Sequence, residues 1–409
     1  MDRKKRGMAA GPAKEAAGRL HLLTLRFLAG ALTAFLVLVP ASGVWMAIQM
    51  VRYSVLLDFW GYASHGSGIG SLLAFSLCYF GLFSTLFCLC LVCRRLRAVK
   101  RAVVWSMAWV PAVNYGLAFY VRRLAKQEID HMIHKISLDD VRADRQVCKT
   151  RYPLLLVHGV GFRDFHYFNY WGRIPRELKR NGAQVYYGHQ EAWGTIEENA
   201  KILQGKIREI CEETGAPKVN IIAHSKGGLD SRYLICGLSM APYVASLTTI
   251  NTPHRGSALV DFLMRLPDGV YRGACRGIDR YFGVLGDKTP NAYVASRQLS
   301  CGYAAEFNKK YPDDKRVYYQ SYASRMKNGF SSKLFCIPYW ILKRLDSPGD
   351  GLVTVESARW ANFQGVVSSR HLRGITHGDM IDLTREDYPG FDVLEFYIQL
   401  VKKLGEMGF

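Results

Sequence analysis

The chain has 409 residues, enough for two or three structural units that each bury a core of their own. Hydrophobic residues make up 49% of the sequence and charged residues 22%, a composition that excludes a largely disordered protein. The net charge is +20, from 54 Lys and Arg against 34 Asp and Glu, which indicates an anionic partner such as nucleic acid or a membrane. Because the basic excess flanks long apolar runs near the amino terminus, we expect a membrane and no nucleic acid.

Three apolar segments occupy residues 25–51, 69–93 and 103–121. Crossing a hydrocarbon core takes about 20 helical residues. The first segment has Arg26 as its one charge and the second has none, so both are predicted to span the membrane. The third is just long enough but contains Pro111, and it either crosses the membrane or lies at the interface. A cleavable signal peptide is the alternative for the first segment, although its apolar core is long and another span follows closely.

Basic residues in the short loops predict the orientation of these spans. Seven Lys and Arg precede or begin the first span, whereas Arg52 is the one basic residue in the loop 52–68. The loop 94–101 is again basic, so we expect it in the cytoplasm together with the amino terminus. If the third segment crosses, the rest of the chain lies outside; if it lies flat, the rest lies inside.

The sequence predicts a membrane module over residues 1–123, an amphipathic linker over 124–150 and a globular domain over 151–409. The globular domain begins with short, continuous apolar runs of the kind buried on both faces of a parallel sheet. Strands alternating with helices imply an α/β fold with a mostly parallel central sheet flanked by helices. The predicted strands lie at 153–158, 185–187, 219–223, 244–250 and 317–322, with a helix at 195–213.

The stretch 221–228 runs from a predicted strand through Ser225 directly into a helical pattern. A nucleophile elbow has this arrangement: its serine is strained, and the residues two before and two after it must be small. Ala223 and Gly227 meet that need, although glycine is the commoner residue at the first position. The pattern therefore predicts Ser225 as a nucleophile, the alternative being an ordinary helix amino-terminal cap.

A serine nucleophile needs a histidine base and a carboxylate that orients it. In α/β folds with a nucleophile elbow, the chain order is serine, acid, histidine. Asp350 lies in a turn rich in Pro and Gly, and we predict it as the acid, with Asp346 as the competing carboxylate. His377 lies in a later loop and is the predicted base, with His371 as the alternative.

Acyl transfer also requires hydrogen-bond donors for the oxyanion that forms on the substrate. The residue after the nucleophile supplies one backbone N–H, here that of Lys226. The loop 158–161 follows the first strand, and the N–H of Val160 is the predicted second donor. A plain turn at the end of a strand is the alternative for this loop.

These motifs together resemble the bacterial triacylglycerol lipases of the α/β-hydrolase fold. The resemblance covers residues 152–400 and implies that Ser225, Asp350 and His377 form a catalytic triad, with Val160 and Lys226 as the oxyanion hole. The matching stretches are 157–164, 170–172, 181–185, 218–225, 252–257, 307–312, 349–353 and 376–379.

The resemblance also implies a mobile helical lid over residues 257–299, whose apolar side chains would cover an acyl pocket. The alternative is that these side chains face the core. The residues concerned are Leu259, Phe262, Leu263, Leu266, Tyr281 and Phe282. Members of this family often hold a structural calcium ion, and Asp379 matches one of its ligands, but Leu383 stands where a polar ligand is expected. We therefore expect no cofactor and no obligatory metal.

The sequence thus predicts a membrane-anchored serine hydrolase that cleaves carboxylic esters of lipids through an acyl-enzyme. Since the family usually acts outside the cell, we expect a multi-pass protein of a bacterial cell membrane with its catalytic domain outside. A phospholipase, thioesterase or acyltransferase using the same triad is the alternative within this class. A catalytically silent, membrane-bound binding protein is the alternative outside it, although such a protein has no need of a complete triad.

Overall fold

The computed structural model describes residues 2–52, 66–96, 98–142, 146–161, 169–345, 348–369, 373–386 and 390–409. Two compact units make up the chain, Met1–Val141 and Arg142–Phe409. The division falls within the segment 124–150 that the sequence predicts as a linker. The alternative acid Asp346 and the alternative base His371 lie outside the described residues.

The first unit is helical. Two of its helices contain stretches that are long and apolar enough to cross a membrane, Ala16–Arg52 and Gly68–Val92, as the sequence predicts for its first two spans. No single described helix covers the third predicted span, because one helix ends at Met107 and the next begins at Pro111. Proline lacks an N–H and fits the first turn of a helix better than its interior. The helices are α1 (Asp2–Arg52), α2 (Gly66–Val92), α3 (Ala98–Met107) and α4 (Pro111–Arg142).

A buried carboxylate joins three parts of this unit. Glu128 of α4 is 5% exposed and lies 2.9 Å from Nε2 of His21 on α1. The same carboxylate accepts hydrogen bonds from the thiol of Cys93 and the backbone N–H of Arg95, just after α2. A buried carboxylate is costly without partners, so these three contacts hold α4 to α1 and to the turn after α2.

The second unit is built on a sheet of six parallel strands in the order β2-β1-β3-β4-β5-β6. The strands are β1 (Leu154–Val157), β2 (Val185–Tyr187), β3 (Val219–His224), β4 (Val244–Ile250), β5 (Tyr318–Ser324) and β6 (Asn362–Val367). The helices are α5 (Ile174–Arg180), α6 (Ile196–Thr214), α7 (Lys226–Cys236), α8 (Ala258–Leu263), α9 (Asp268–Val284), α10 (Ala292–Arg297), α11 (Cys301–Lys310), α12 (Cys336–Arg344), α13 (Val355–Ala358) and α14 (Val393–Glu406).

Strands β1, β3 and β4 are buried along their whole length, as their continuous apolar runs predict. Alternate side chains enter two cores on opposite faces of the sheet. Leu156 packs in the core that contains Trp171 and Tyr397, whereas its neighbour Leu155 packs in the core that contains Ile207. Strand β6 was not predicted, because its exposed and half-buried residues make no continuous apolar run.

The strand order brings the predicted oxyanion loop next to the predicted nucleophile turn. Strand β1 pairs with β3 in a register that sets Val157 opposite Ala223. Because both strands run in the same direction, the loop after β1 and the turn after β3 leave the sheet side by side. Open α/β sheets bind their ligands at such a place, beyond the carboxyl ends of the strands.

An ion pair attaches the segment before α5 to the loop before α14. The guanidinium of Arg173 binds the carboxylate of Asp382 through Nε and a terminal nitrogen, both at 2.8 Å, and the backbone N–H of Arg173 donates a third bond. The Asp382 side chain is 1% exposed, so its charge depends on this partner. The pair therefore holds the loop next to His377 against the central core.

We predict that Arg173→Ala lowers the free energy of unfolding by about 3 kcal/mol, because it leaves a buried carboxylate without its cation. The matched control is Arg316→Ala, which breaks the exposed pair with Asp314 and should cost about 0–1 kcal/mol. Urea unfolding of the full chain in mild detergent, followed by tryptophan fluorescence, compares the two. Equal losses would contradict a stabilising role for the Arg173 pair.

Candidate active site

Ser225 occupies a tight turn between β3 and α7. Its backbone has φ 55° and ψ −132°, a strained conformation for a residue that is not glycine. The neighbouring chain approaches too closely for larger residues: a Cβ at Gly227 would lie 2.3 Å from the carbonyl oxygen of His158, and one at Gly159 would lie 2.7 Å from Cβ of Ser225. This is the geometry that a nucleophile elbow requires.

His377 and Asp350 form a close hydrogen-bonded pair, with 2.6 Å between Nδ1 and Oδ2. A carboxylate can only accept, so the Nδ1 atom of the ring carries the proton and Nε2 is left to act as a base. The other carboxylate oxygen of Asp350 accepts the backbone N–H groups of Leu352 and Val353 at 2.9 and 2.8 Å. Both side chains are buried, and both carboxylate oxygens of Asp350 accept hydrogen bonds.

The segment directly after β5 positions this pair. Met326 donates its backbone N–H to Gly349, next to Asp350, and forms an antiparallel bridge with Gly374. The backbone N–H of His377 then donates to the carbonyl of Asp350 at 2.9 Å. Two loops that are distant in sequence are thereby held to one short extension of the sheet.

Two backbone N–H groups near Ser225 have the character of oxyanion donors. Lys226 is the first residue of α7, so its N–H has no acceptor within the helix. Within the part of the chain that the structure describes, the N–H of Val160 also has no hydrogen-bond acceptor. The Val160 side chain packs against Ile196 and Leu229, which fixes the loop after β1.

The side chain of Lys226 points into the protein and pairs with Asp230, one helical turn later. The distance between its Nζ atom and Oδ1 is 2.6 Å, and both side chains are 1% exposed. Asn199 of α6 donates to the second carboxylate oxygen. Burial raises the pKa of the Asp230 carboxyl, and the Lys226 ammonium opposes that shift. This pair fixes the start of α7, and its spacing of four residues is the one signal in the sequence that indicates it.

His224 lies directly before the serine and was not predicted as a site residue. Its ring centroid is 4.4 Å from that of His377, and its Nδ1 atom is 2.7 Å from the Tyr170 hydroxyl. Burial, followed by the nearby His377, lowers the pKa of His224 well below its usual value. His224 is therefore neutral at physiological pH.

The candidate lid, residues 257–299, is an excursion whose two ends meet. Ser257 donates its backbone N–H to the carbonyl of Leu299 at 2.8 Å. Leu259 is buried, whereas most of the other apolar residues named from the sequence are exposed by more than a third. The exposed ones are Phe262, Leu263, Leu266 and Tyr281, to which the structure adds Val270 and Val284. These exposed side chains do not belong to the core.

The residues near His377 do not fit a calcium site. Asp379 is 3% exposed and its carboxylate already binds the guanidinium of Arg373 and the backbone N–H of Thr376. A calcium ion takes six or more oxygen ligands. The described residues contain no group of three His, Cys, Asp or Glu side chains that could hold a metal.

No family model matches the chain, but curated relatives do. Triacylglycerol lipase 2 of Saccharomyces cerevisiae is 28% identical over 311 residues, which span 71% of this chain and 86% of that protein. A triacylglycerol lipase of Burkholderia plantarii is 34% identical over 234 residues, or 53% of this chain and 60% of that protein. The solved structure of the mature Bacillus licheniformis lipase BlEst2 covers 61% of this chain and 91% of its own, with 22% identity and a TM-score of 0.47.

The relatives come from a yeast and a bacterium, so similarity to them does not by itself indicate a bacterial membrane. Their sequence similarity agrees with the parallel sheet and with the strand–serine–helix turn described above. The chain is similar in sequence to triacylglycerol lipases, and its described sheet and strand–serine–helix turn have the architecture of the α/β-hydrolase fold.

Proposed function

We propose that this protein is a membrane-anchored serine hydrolase that cleaves carboxylic esters of lipids. The observation that carries the proposal is the hydrogen bond between His377 and Asp350 beside the strained turn at Ser225. An acid–base pair next to a strained serine has little value in a binding protein, because both features cost stability. The names of the relatives, which are triacylglycerol lipases, support an ester as the substrate.

In the proposed mechanism, Nε2 of His377 removes the hydroxyl proton of Ser225 while the oxygen attacks the ester carbonyl. The N–H groups of Val160 and Lys226 bind the oxyanion of the tetrahedral intermediate. The intermediate collapses, His377 protonates the leaving alcohol, and an acyl-enzyme remains. A water molecule, deprotonated by the same histidine, then releases the acid. Asp350 stabilises the imidazolium in both steps.

The buried charges around the turn favour a neutral acyl group over an anionic one. The ammonium of Lys226 is paired with Asp230 and does not reach solvent, so its contribution is confined to the backbone N–H. His224 is neutral and adds no positive charge. An apolar acyl chain is therefore the group that this part of the site can accept at the least cost.

We further propose that residues 257–299 act as a lid over the acyl chain. The hydrogen bond between its ends allows the segment to move as a unit, and its exposed apolar side chains gain from contact with lipid. The carboxyl end is anchored: Glu191 accepts the N–H groups of Lys288 and Thr289, and Asp287 accepts those of Ala192 and Trp193. Motion would therefore be greatest in the part of the segment that lies between Ser257 and this anchor.

Helices α1 and α2 are the proposed membrane anchor, in line with their length and apolar composition. The basic residues that precede the apolar segment of α1 and those that follow α2 support a hairpin with both ends in the cytoplasm. The proposal that the catalytic domain faces outside requires a further crossing by residues 103–121. That crossing would have to accommodate the helix break before Pro111.

Ser225→Ala is expected to abolish both ester hydrolysis and labelling by a fluorophosphonate, because the variant lacks the attacking oxygen. Ser239→Ala is a matched control, since Ser239 also has a positive φ, 56°, but is exposed after α7. Activity on p-nitrophenyl esters and gel fluorescence of the labelled chain measure the effect. Hydrolysis near the parent rate in Ser225→Ala would refute the serine mechanism.

Asp350→Asn and His377→Ala should each lower turnover by roughly 10⁴-fold, because members of a triad act as a unit. The steady-state rate of ester hydrolysis by the full chain in detergent tests this. Asp346→Asn is the control and should leave the rate nearly unchanged. If Asp346→Asn removes activity and Asp350→Asn does not, the acid has been misassigned.

The external orientation predicts that a cysteine at an exposed position of the second unit reacts with an impermeant maleimide on intact cells. Lys315→Cys suits this test because Lys315 is exposed. Asp313, two residues earlier, is less suitable because its carboxylate accepts hydrogen bonds from the side chains of Arg232 and Trp360. The parent chain gives the background from the native thiols. Labelling that requires cell lysis would place the catalytic domain in the cytoplasm and make residues 103–121 an interfacial segment.

A further inference from the structure

Helices α2 and α3 run antiparallel and enclose an apolar groove in the first unit. Its volume is about 340 Å³, within the range of small-molecule sites. The floor consists of buried side chains, Leu86, Cys90, Val104 and Ala108. Two aromatic pairs form the walls: Phe83 with Trp109 at 4.8 Å between centroids, and Phe87 with Trp105 at 5.2 Å. Since three of these four rings are more than a third exposed, the groove is open along its side.

A basic side chain lies at one end of this groove. Arg101 is on the face of α3 that carries Val104 and Trp105, because residues three and four apart share a helix face. One terminal nitrogen of its guanidinium donates to the carbonyl of Cys93 at 3.3 Å. Its Nε atom is buried and has no hydrogen-bond partner among the described residues. A buried donor without an acceptor is costly, so an acceptor at this position would be favourable.

We propose that this groove binds one anionic phospholipid, with an acyl chain between the aromatic walls and the phosphate at Arg101. The inference goes beyond ester hydrolysis and rests on the insertion of the first unit into a bilayer. Charge supports the choice of lipid, because two further basic residues, Arg94 and Arg95, lie in the turn between α2 and α3. Basic pockets between membrane helices on the cytoplasmic side, where the positive-inside pattern puts this loop, suit anionic head groups.

The charged end of the groove and its apolar floor and walls each favour an anionic phospholipid. A guanidinium matches a phosphate in charge and geometry, and the vacant Nε donor would complete the contact. A zwitterionic phospholipid carries the same phosphate, but its cationic head group would be repelled by the surrounding basic loop. Free phosphate would leave the apolar floor and walls uncovered. An anionic phospholipid is the one membrane component that satisfies both parts.

The test uses the full chain, purified in mild detergent and mixed with equimolar phosphatidylglycerol and phosphatidylcholine. Native mass spectrometry then measures which lipid stays bound. The parent chain should retain phosphatidylglycerol in excess. Arg101→Gln should lower its retention by about fivefold to tenfold, because a charged contact to phosphate is lost. Ala108→Phe should lower retention of both lipids, since it fills the floor of the groove.

Lys100→Gln is the matched control, because it removes the same charge from an exposed position one residue away. It should change retention by less than about twofold. Circular dichroism checks the helical content of each variant, and fluorophosphonate labelling should be the same in all of them. Equal effects of Arg101→Gln and Lys100→Gln, or full retention in Ala108→Phe, would overturn the proposal. Loss of labelling in the parent would refute the hydrolase assignment and leave the lipid site standing.

Discussion

The parallel direction of all six strands in the described sheet is the constraint on which the site depends. Because parallel strands end at one edge, the loop after β1, the turn after β3 and the extension of β5 all emerge on the same side. The first two carry Val160 and Ser225, and the third supports the loops of Asp350 and His377. Residues that are more than 200 positions apart in the sequence are therefore brought close together by the sheet.

Buried polar contacts then convert this proximity into a defined geometry. Ser225 is held in a conformation that costs free energy, and the neighbouring helix is fixed by the pair of Lys226 and Asp230. On the other side, Arg173 and Asp382 fix the loop that follows His377. Each of these pairs is weak evidence for net stability, since desolvation offsets the attraction between the charges. The first pair lies at the start of α7 beside the serine, and the second joins the segment before α5 to the loop after His377.

Buried polar contacts also join the helices of the first unit. Two of its helices, α1 and α2, contain long apolar stretches, and apolar contacts alone do not fix one arrangement of such helices. The contacts of Glu128 with His21, Cys93 and the backbone of Arg95 supply directional bonds at the end of the bundle. The groove between α2 and α3 ends near the same point, at Arg101. Polar contacts thus concentrate where the chain leaves the apolar segments.

The sequence by itself determined the elements with strong local patterns: the two long apolar helices, the continuous strands β1, β3 and β4, and the strand–serine–helix turn. It could not determine strand β6, whose exposed and half-buried residues make no continuous apolar run, or the helix break before Pro111 in the third apolar segment. It predicted Asp350 as the acid but left Asp346 as a competing carboxylate, because the two lie only four residues apart in the sequence. Only the tertiary structure sets Asp350 2.6 Å from His377, and only it pairs Arg173 with Asp382. Such contacts join loops whose separation in sequence carries no periodic signal, so they are decided by the packing of the sheet beneath them.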